Sequence, residues 1–530
     1  MKSQTLRKQE ILSRIIGPEA TSKLALKFFK ACPGYDPLAT KGQFLSQHPS
    51  AKAVSASNMV SELFKIFYGK IDAQDIVPDE SVSRVSALVP YIKNTTDVLI
   101  FNFLRCNYGI RDPLLVRLSV LVGDKCYWSK QYLFAPNEVK YLKNFTAEAD
   151  QNALLENGIV MLEAFHPRIE TPGNEFRFFM LLNNPVKGTL SGIHSIPAPL
   201  IPYQKRDEFC FRAFIPSEQQ AYYCNFADPH QVLQSNSTNR IFRQAQSEGP
   251  IKGSMGFCIV HDDKGIPMTL WHDNCSSNMK NIRNIPTKEK LPHGCVTTFY
   301  VPDFEVNAPL INVIKEEIGF DTESFKIKAY RESGEMIAEK RVQLTGDSMG
   351  FDLAKIFAGE QIQGSAYFVA DFERDQNEFD TRPPCYLHLF YRRGEIFADQ
   401  VHSQYSFGYH NDSTGLPKSY RCLKMAPLIK EFRSVYCLAT AGGVRKSRDN
   451  TITLRVFTDT GTEHVFNRYP LKVPDGVSVI HGDDLLKEID CNIDEAAVVW
   501  FEHSTTNFNG NWFLVNRKTG HLATDHFTGA

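Results

Sequence analysis

Four times along this chain a short apolar strand runs into a glycine turn, then a second strand, then a histidine. The segments are Glu175 to His194 (EFRFFMLLNNPVKGTLSGIH), Gly256 to His272 (GFCIVHDDKGIPMTLWH), Tyr386 to His402 (YLHLFYRRGEIFADQVH) and Asn511 to His526 (NWFLVNRKTGHLATDH). Self-similarity at a long period is the mark of repeated architecture, so the chain is expected to be an array of related β domains.

Each unit also opens alike, with a hydrophobic residue and proline followed by a second apolar run: Leu88 onward (LVPYIKNTTDVLIFNF), Phe214 (FIPSEQQAYYCNFA), Tyr300 (YVPDFEVNAPLINVI) and Met425 (MAPLIKEFRSVYCLAT). From Pro90, Pro216, Pro302 and Pro427 to the closing histidines the separations are 104, 56, 100 and 99 residues. Three units are therefore full length and one is truncated. About 100 residues is the size of a β-sandwich domain.

The interiors of the long units agree. Each has an alternating strand (Leu115 to Val122, Phe325 to Tyr330, Ile452 to Thr458), then a helix-like piece (Glu138 to Asn144, Phe351 to Phe357, Asp483 to Ile489). Next comes a strand of apolar and acidic residues (Gly158 to Phe165, Gly364 to Phe372, Ala496 to Glu502). Alternation at period two gives a face to bury and a face to wet. The expected fold is mainly β: tandem antiparallel β-sandwich domains at 86–200, 293–406 and 420–530, a short β unit at 205–280, and a helical N-terminal cap over 1–85. In the cap, Pro18 opens one helix through Leu24, Leu26, Phe28 and Phe29, and Ser57 caps another through Phe67. These helices either seal the array end or join copies into a homo-oligomer.

Composition excludes several function classes. No run approaches 18 apolar residues, so no membrane span is expected, and Ile11 to Ile16 is too short and polar for a signal segment. A cytoplasmic location follows. The 59 basic and 60 acidic residues cancel without a basic stripe, which argues against a nucleic-acid partner. The 12 cysteines are scattered singly, with no zinc-ligand spacing, and are expected to be reduced, mostly buried thiols; a disulfide such as Cys210 to Cys224 across neighbouring strands is the alternative.

Chemistry would most easily hide in the short unit. There, after the polar stretch Ala227 to Gly253 with its helical turn at Arg240 to Ala245, come His261, Asp262 and Asp263, then His272 and Asp273. Histidine beside carboxylate can act as a general base, because imidazole titrates near neutrality and the carboxylate fixes its tautomer. The bland reading is a solvated hairpin turn. His194, His272, His402 and His526 are expected to make four separate structural contacts and no shared metal site. Ala441 to Gly443 in TAGGVRKS reads as a loop between strands. No cofactor is expected; Glu373, Asp375, Glu378 and Asp380 offer oxygen ligands for calcium but lack a calcium-loop spacing.

Aromatic residues flanked by Asn, Asp and His suggest sugar platforms at Trp271 and at Tyr405, Phe407 and Tyr409. Familiar catalytic signatures are absent from the sequence. The leading expectation is thus a non-catalytic binding or scaffold protein with a glycan or another protein as ligand. The alternatives are a carbohydrate-modifying or metal-assisted enzyme working at the short unit, and a structural subunit of a larger assembly.

Overall fold

The computed structural model describes residues 72–79, 83–91, 96–102, 104, 112–122, 125–145, 158–166, 178–184, 188–194, 208–212, 221–225, 232–235, 241–245, 256–261, 267–273, 295–300, 307–314, 324–343, 348–360, 367–372, 387–393, 396–402, 404–405, 422–439, 451–459, 461–471, 477–488, 490, 493–503 and 509–527. The two N-terminal helices, the acidic stretch 373–380 and the 441–443 loop of the sequence reading lie outside these residues. The chain is mainly β, arranged as several antiparallel sheets.

The first set of strands is β1 (Ser83–Tyr91), β2 (Thr96–Phe101), β3 (Leu114–Val122), β4 (Lys125–Phe134), β5 (Val139–Leu142), β6 (Gly158–Phe165), β7 (Phe179–Asn184) and β8 (Thr189–His194). The sheet orders are β1-β6-β3-β4 and β5-β2-β7-β8. The second set is β9 (Glu208–Arg212), β10 (Ala221–Asn225), β11 (Val232–Ser235), β12 (Ile241–Ala245), β13 (Gly256–His261) and β14 (Pro267–Asp273), ordered β11-β10-β13-β14 and β12-β9.

The third set runs β15 (Cys295–Tyr300), β16 (Asn307–Ile314), β17 (Ser324–Tyr330), β18 (Met336–Gln343), β19 (Ser348–Asp352), helix α1 (Leu353–Ile356), β20 (Tyr367–Phe372), β21 (Leu387–Arg393), β22 (Ile396–His402) and β23 (Gln404–Tyr405). Its sheets are β18-β17-β20-β15-β23 and β19-β16-β21-β22. The fourth set is β24 (Cys422–Ile429), β25 (Phe432–Ala439), β26 (Thr451–Thr458), β27 (Glu463–Pro470), β28 (Val477–His481), helix α2 (Gly482–Glu488), β29 (Ala496–His503), β30 (Asn509–Asn516) and β31 (Leu522–His526), in sheets β24-β29-β26-β27 and β28-β25-β30-β31. In β1, β9 to β16, β19 and β21 to β23 the backbone and its pairing are what is described.

Counted by position within a set, the first, third and fourth sets share one strand order, 1-6-3-4 beside 5-2-7-8, the third adding β23 at the edge. The second set has the same order with positions three and four missing. Pro90 and Pro427 both fall in first-position strands, β1 and β24, at sheet edges. An edge tolerates proline because the missing N–H can face away from the ladder.

In the first and fourth sets a cation on the third strand reaches an acid on the sixth. Arg117 is the register partner of Glu163 and its Nε donates to Glu163 Oε2 at 2.6 Å. In the fourth set Arg455 lies 2.8 Å from Glu463 and 3.8 Å from Glu502. Opposite charges in cross-strand neighbours contribute about 0.2–1 kcal/mol each.

Two local expectations are corrected. Glu138 to Asn144 is not helical: it carries β5, where buried Val139 and Tyr141 alternate with half-exposed Lys140 and Leu142. Arg240 to Ala245 is not a helical turn either; it holds β12, whose IFRQA pairs residue by residue with EFCFR of β9. In both, pairing with a partner strand outweighs weak local helix preference.

The core explains which strands read as unbroken apolar runs. All six residues of β2 are buried, as are Phe179 to Leu182 of β7 and Ala496 to Phe501 of β29. A strand covered on both faces has no polar face to alternate with. One apolar cluster joins the first and fourth sets. Phe101 packs on Phe457 and Trp500, and Phe179 meets Trp512 edge to face at 5.8 Å. By contrast β26 alternates, and β27 presents Val465 to solvent.

Candidate functional site at the closing strands

The eighth-position strands β8, β14, β22 and β31 are each the edge of their sheet. They meet in a closed ring: β8 lies against β31, β31 against β22, β22 against β14, and β14 against β8. Each closing histidine is registered with an early residue of the preceding strand: His194 with Phe179, His272 with Phe257, His402 with His388 and His526 with Asn511. The expectation of four separate contacts thus changes. The strands that bear the histidines converge, and the His194 and His526 rings touch at 4.3 Å between centroids.

Asp525 organises this contact. Its Oδ2 accepts from the His194 backbone N at 2.8 Å and from His194 Nδ1 at 2.6 Å. Its Oδ1 accepts from the His526 backbone N at 2.7 Å. His526 Nδ1 donates to the Phe527 carbonyl at 2.8 Å. His194 and Asp525 are 2% and 4% exposed, so the pair is dry and its Coulomb attraction is poorly screened. Each of His194, Asp525 and His526 offers one ligand atom within 4.8 Å of the other two.

Sequence reasoning missed Asp525, although a signal was present. The residue before the closing histidine is Ile193, Trp271 and Val401 in the other three units; only here is it acidic. A carboxylate in an otherwise apolar slot of a buried strand needs a partner.

The docking of β8 on the fourth set is close. At Gly192 an added Cβ would lie 2.9 Å from both Leu181 Cδ2 and Trp512 Cη2. At the β7–β8 turn Gly188 has φ +68°, and its carbonyl accepts from Thr519 Oγ1 at 2.7 Å, in the β30–β31 turn. Equivalent turns of two sets therefore meet.

A second polar cluster joins the same two sets. Asp97 on β2 is buried and accepts from Tyr141 Oη at 2.7 Å, Asn183 Nδ2 at 3.2 Å and the Asn144 N at 2.8 Å. Asn183 also donates to Glu431 in the β24–β25 turn, which Lys143 reaches at 2.9 Å. Burial pushes the Asp97 carboxyl above its ordinary value, the three hydrogen bonds pull it back, and the Glu431 charge adds to the rise. Burial, then Asp97, hold the Tyr141 hydroxyl well above its ordinary range.

The second-set candidates are placed by backbone alone. His261 ends β13 opposite Pro267, whereas His272 is opposite Phe257. Four residues of strand separate them, about 13 Å at 3.3 Å per residue. The hairpin alone therefore does not bring them together. Asp273 and Trp271 lie on β14 beside Gly256 and Cys258. Tyr405 is in β23, registered with Thr297. Asp262, Asp263, Phe407 and Tyr409 lie outside the described residues. Cys126 is an exposed free thiol and Cys437 a buried one, and among the described residues no helix is long and apolar enough to cross a membrane.

Fold and site together define a mainly β protein of several antiparallel sheets. No protein-family profile matches the chain, and no curated protein does. Among solved structures it is similar to trypsin-activated alpha-2-macroglobulin from Escherichia coli at 10% identity and TM-score 0.10, covering 84% of this chain and 29% of that one. The native conformation of the same E. coli protein gives 8% identity and TM-score 0.09, covering 83% and 28%. The chain spans less than a third of the length of these proteins, and the likeness is too slight to bear on fold or function.

Proposed function

We propose that this chain is a non-catalytic binding or scaffold protein built of four tandem β-sandwich units, three complete and one lacking its third and fourth strands. The observation that carries this reading is the recurrence of one strand order through all four sets. Repeated units that share a core give a rigid frame, and such frames commonly present loops and edges to a ligand. The ligand class is a glycan or another protein, with Trp271 and the Tyr405, Phe407 and Tyr409 segment as the binding aromatics.

A glycan array run beside thermal melts tests it, using the full chain and the variants Trp271→Ala, Tyr405→Ala, Phe407→Ala and Tyr409→Ala. Exposed platforms predict lost binding at unchanged melting temperature, since stacking contributes about 0.5–1.5 kcal/mol beyond area burial. Carbohydrate turnover abolished by His272→Ala would overturn the non-catalytic reading.

A further inference from the structure

We propose that the second strand set is a docking slot for an extended, acidic segment of a partner protein, which adds as a strand to the open edge of β12 where the other sets carry their third strand. This rests on the reading of the second set as an incomplete copy of the other three, and it narrows the ligand class to protein.

The vacancy is written into the sequence. Residues 102–138, 315–347 and 440–476 lie between the second- and fifth-position strands of the complete sets and supply positions three and four. Between β10 and β11 the chain has only residues 226–231. Fully extended they span about 20 Å, too little for two strands and their turns. In each complete set the sixth strand has antiparallel neighbours on both sides, the first strand and the third. Among the described residues β12 is paired with β9 alone. Its other edge therefore offers backbone N–H and C=O groups at the spacing of a ladder, and strand addition at such an edge is a recurrent way to bind a peptide.

The complete sets indicate what fits. β4 runs into β5 through a tight turn, in which Glu138 N donates to the Ala135 carbonyl, so positions four and three lie over positions five and two. In the second set the missing pair would lie over β11 and β10. A β9–β12 edge from a second copy would bring its own β10–β11 layer into that space, so a lone extended segment fits where a second copy does not. Third-position strands are apolar at alternate positions: Val116, Leu118 and Val120 of β3 and Ile452, Leu454 and Val456 of β26 are buried. Charge selects the rest. The sixth strands carry Glu163, Asp371 and Glu502, and two of these acids reach third-strand arginines, Arg117 and Arg455. β12, IFRQA, has no acid and one cation, Arg243. The complementary segment is therefore acidic.

The test uses the full-length chain and a fluorescein-labelled synthetic peptide of residues 449–460, which contain β26, carrying Arg455→Glu, beside the unaltered peptide. By fluorescence anisotropy the Arg455→Glu peptide should bind about fivefold more tightly than the unaltered one, and Arg243→Glu in the chain should reverse the order. Hydrogen exchange should show residues 208–212 and 241–245 protected in the free chain, and 241–245 further protected by the peptide. Fast exchange at both segments of the free chain would remove the incomplete-set reading together with the slot. Protection of both with no gain at 241–245 on adding either peptide, a gain at β18 or β27 instead, or equal affinities that Arg243→Glu leaves unchanged would overturn the slot alone. A benzophenone cross-link from position 243 to a second copy or to residues 1–71 would overturn the partner as occupant. Should Arg243→Glu fail to fold, the two peptides on the unaltered chain decide.

Discussion

His194 and Asp525 lie 331 residues apart in the chain, yet one carboxylate oxygen takes both the backbone N–H and the ring Nδ1–H of the histidine. The bond ties the end of β8 to the end of β31, so the first and last strand sets are joined at the strands that close them.

Removing one partner of this buried pair strands the other. Asp525→Ala is expected to cost about 3–5 kcal/mol in urea unfolding. In a double-mutant cycle with His194→Ala the two losses should couple by about 0.5–3 kcal/mol. Additive losses would mean that the contact contributes nothing of its own.

Gly188 gives a sterically sharper case. An alanine there meets the left-handed backbone, φ +68°, and places its Cβ 2.2 Å from Thr519 Cγ2. The backbone part costs about 1–2 kcal/mol. Thr519→Ser removes the offending methyl and keeps the hydroxyl that donates to the Gly188 carbonyl. The double variant should therefore regain the steric part of the loss and keep the backbone part, as read by denaturant midpoint.

Asp97 predicts a pH dependence of definite sign. Its folded carboxyl is raised above the ordinary 3.8, so between 3.8 and the folded value the native state holds more protons than the unfolded one. Stability from this group is present below 3.8 and is lost as pH rises through the folded value. Asp97→Asn cannot ionise. The stability of the unaltered chain relative to that variant should fall with rising pH across this window and level off above it. A difference that grows in favour of the unaltered chain would reverse the assignment.

Trp512 is fully buried between Phe179 and Gly192 of the first set. Trp512→Ala should cost about 3–5 kcal/mol by chemical denaturation. A loss below about 1 kcal/mol would mean that the two sets do not share this core.

Much of the strand inventory was legible. Gly158 to Phe165 is β6 to the residue, and β3, β17 and β26 fall within a residue of the alternating runs. Period-two patterning is a local property, and it survives folding wherever one face is wet. What failed was local in another way: at 138–144 and 240–245 a partner strand chose the conformation. The candidate site was half legible. The closing histidines stood out by repetition, but no period in the sequence brings β8 beside β31. Asp525 gains its meaning only when that neighbour arrives. The second-set residues stood out by composition alone, and the β13–β14 register keeps His261 and His272 at opposite ends of the hairpin.

Closure of the first set on the last is tested most directly by zero-length carbodiimide cross-linking of the monomeric full chain. Lys143 Nζ lies 2.9 Å from Glu431 and 3.5 Å from Glu495, all three side chains exposed enough to react. Peptide mass spectrometry should find Lys143 joined to Glu431 or Glu495 within one chain. Lys143 linked only to carboxylates of its own strand set, or to Glu431 only in cross-linked dimers, would contradict the account.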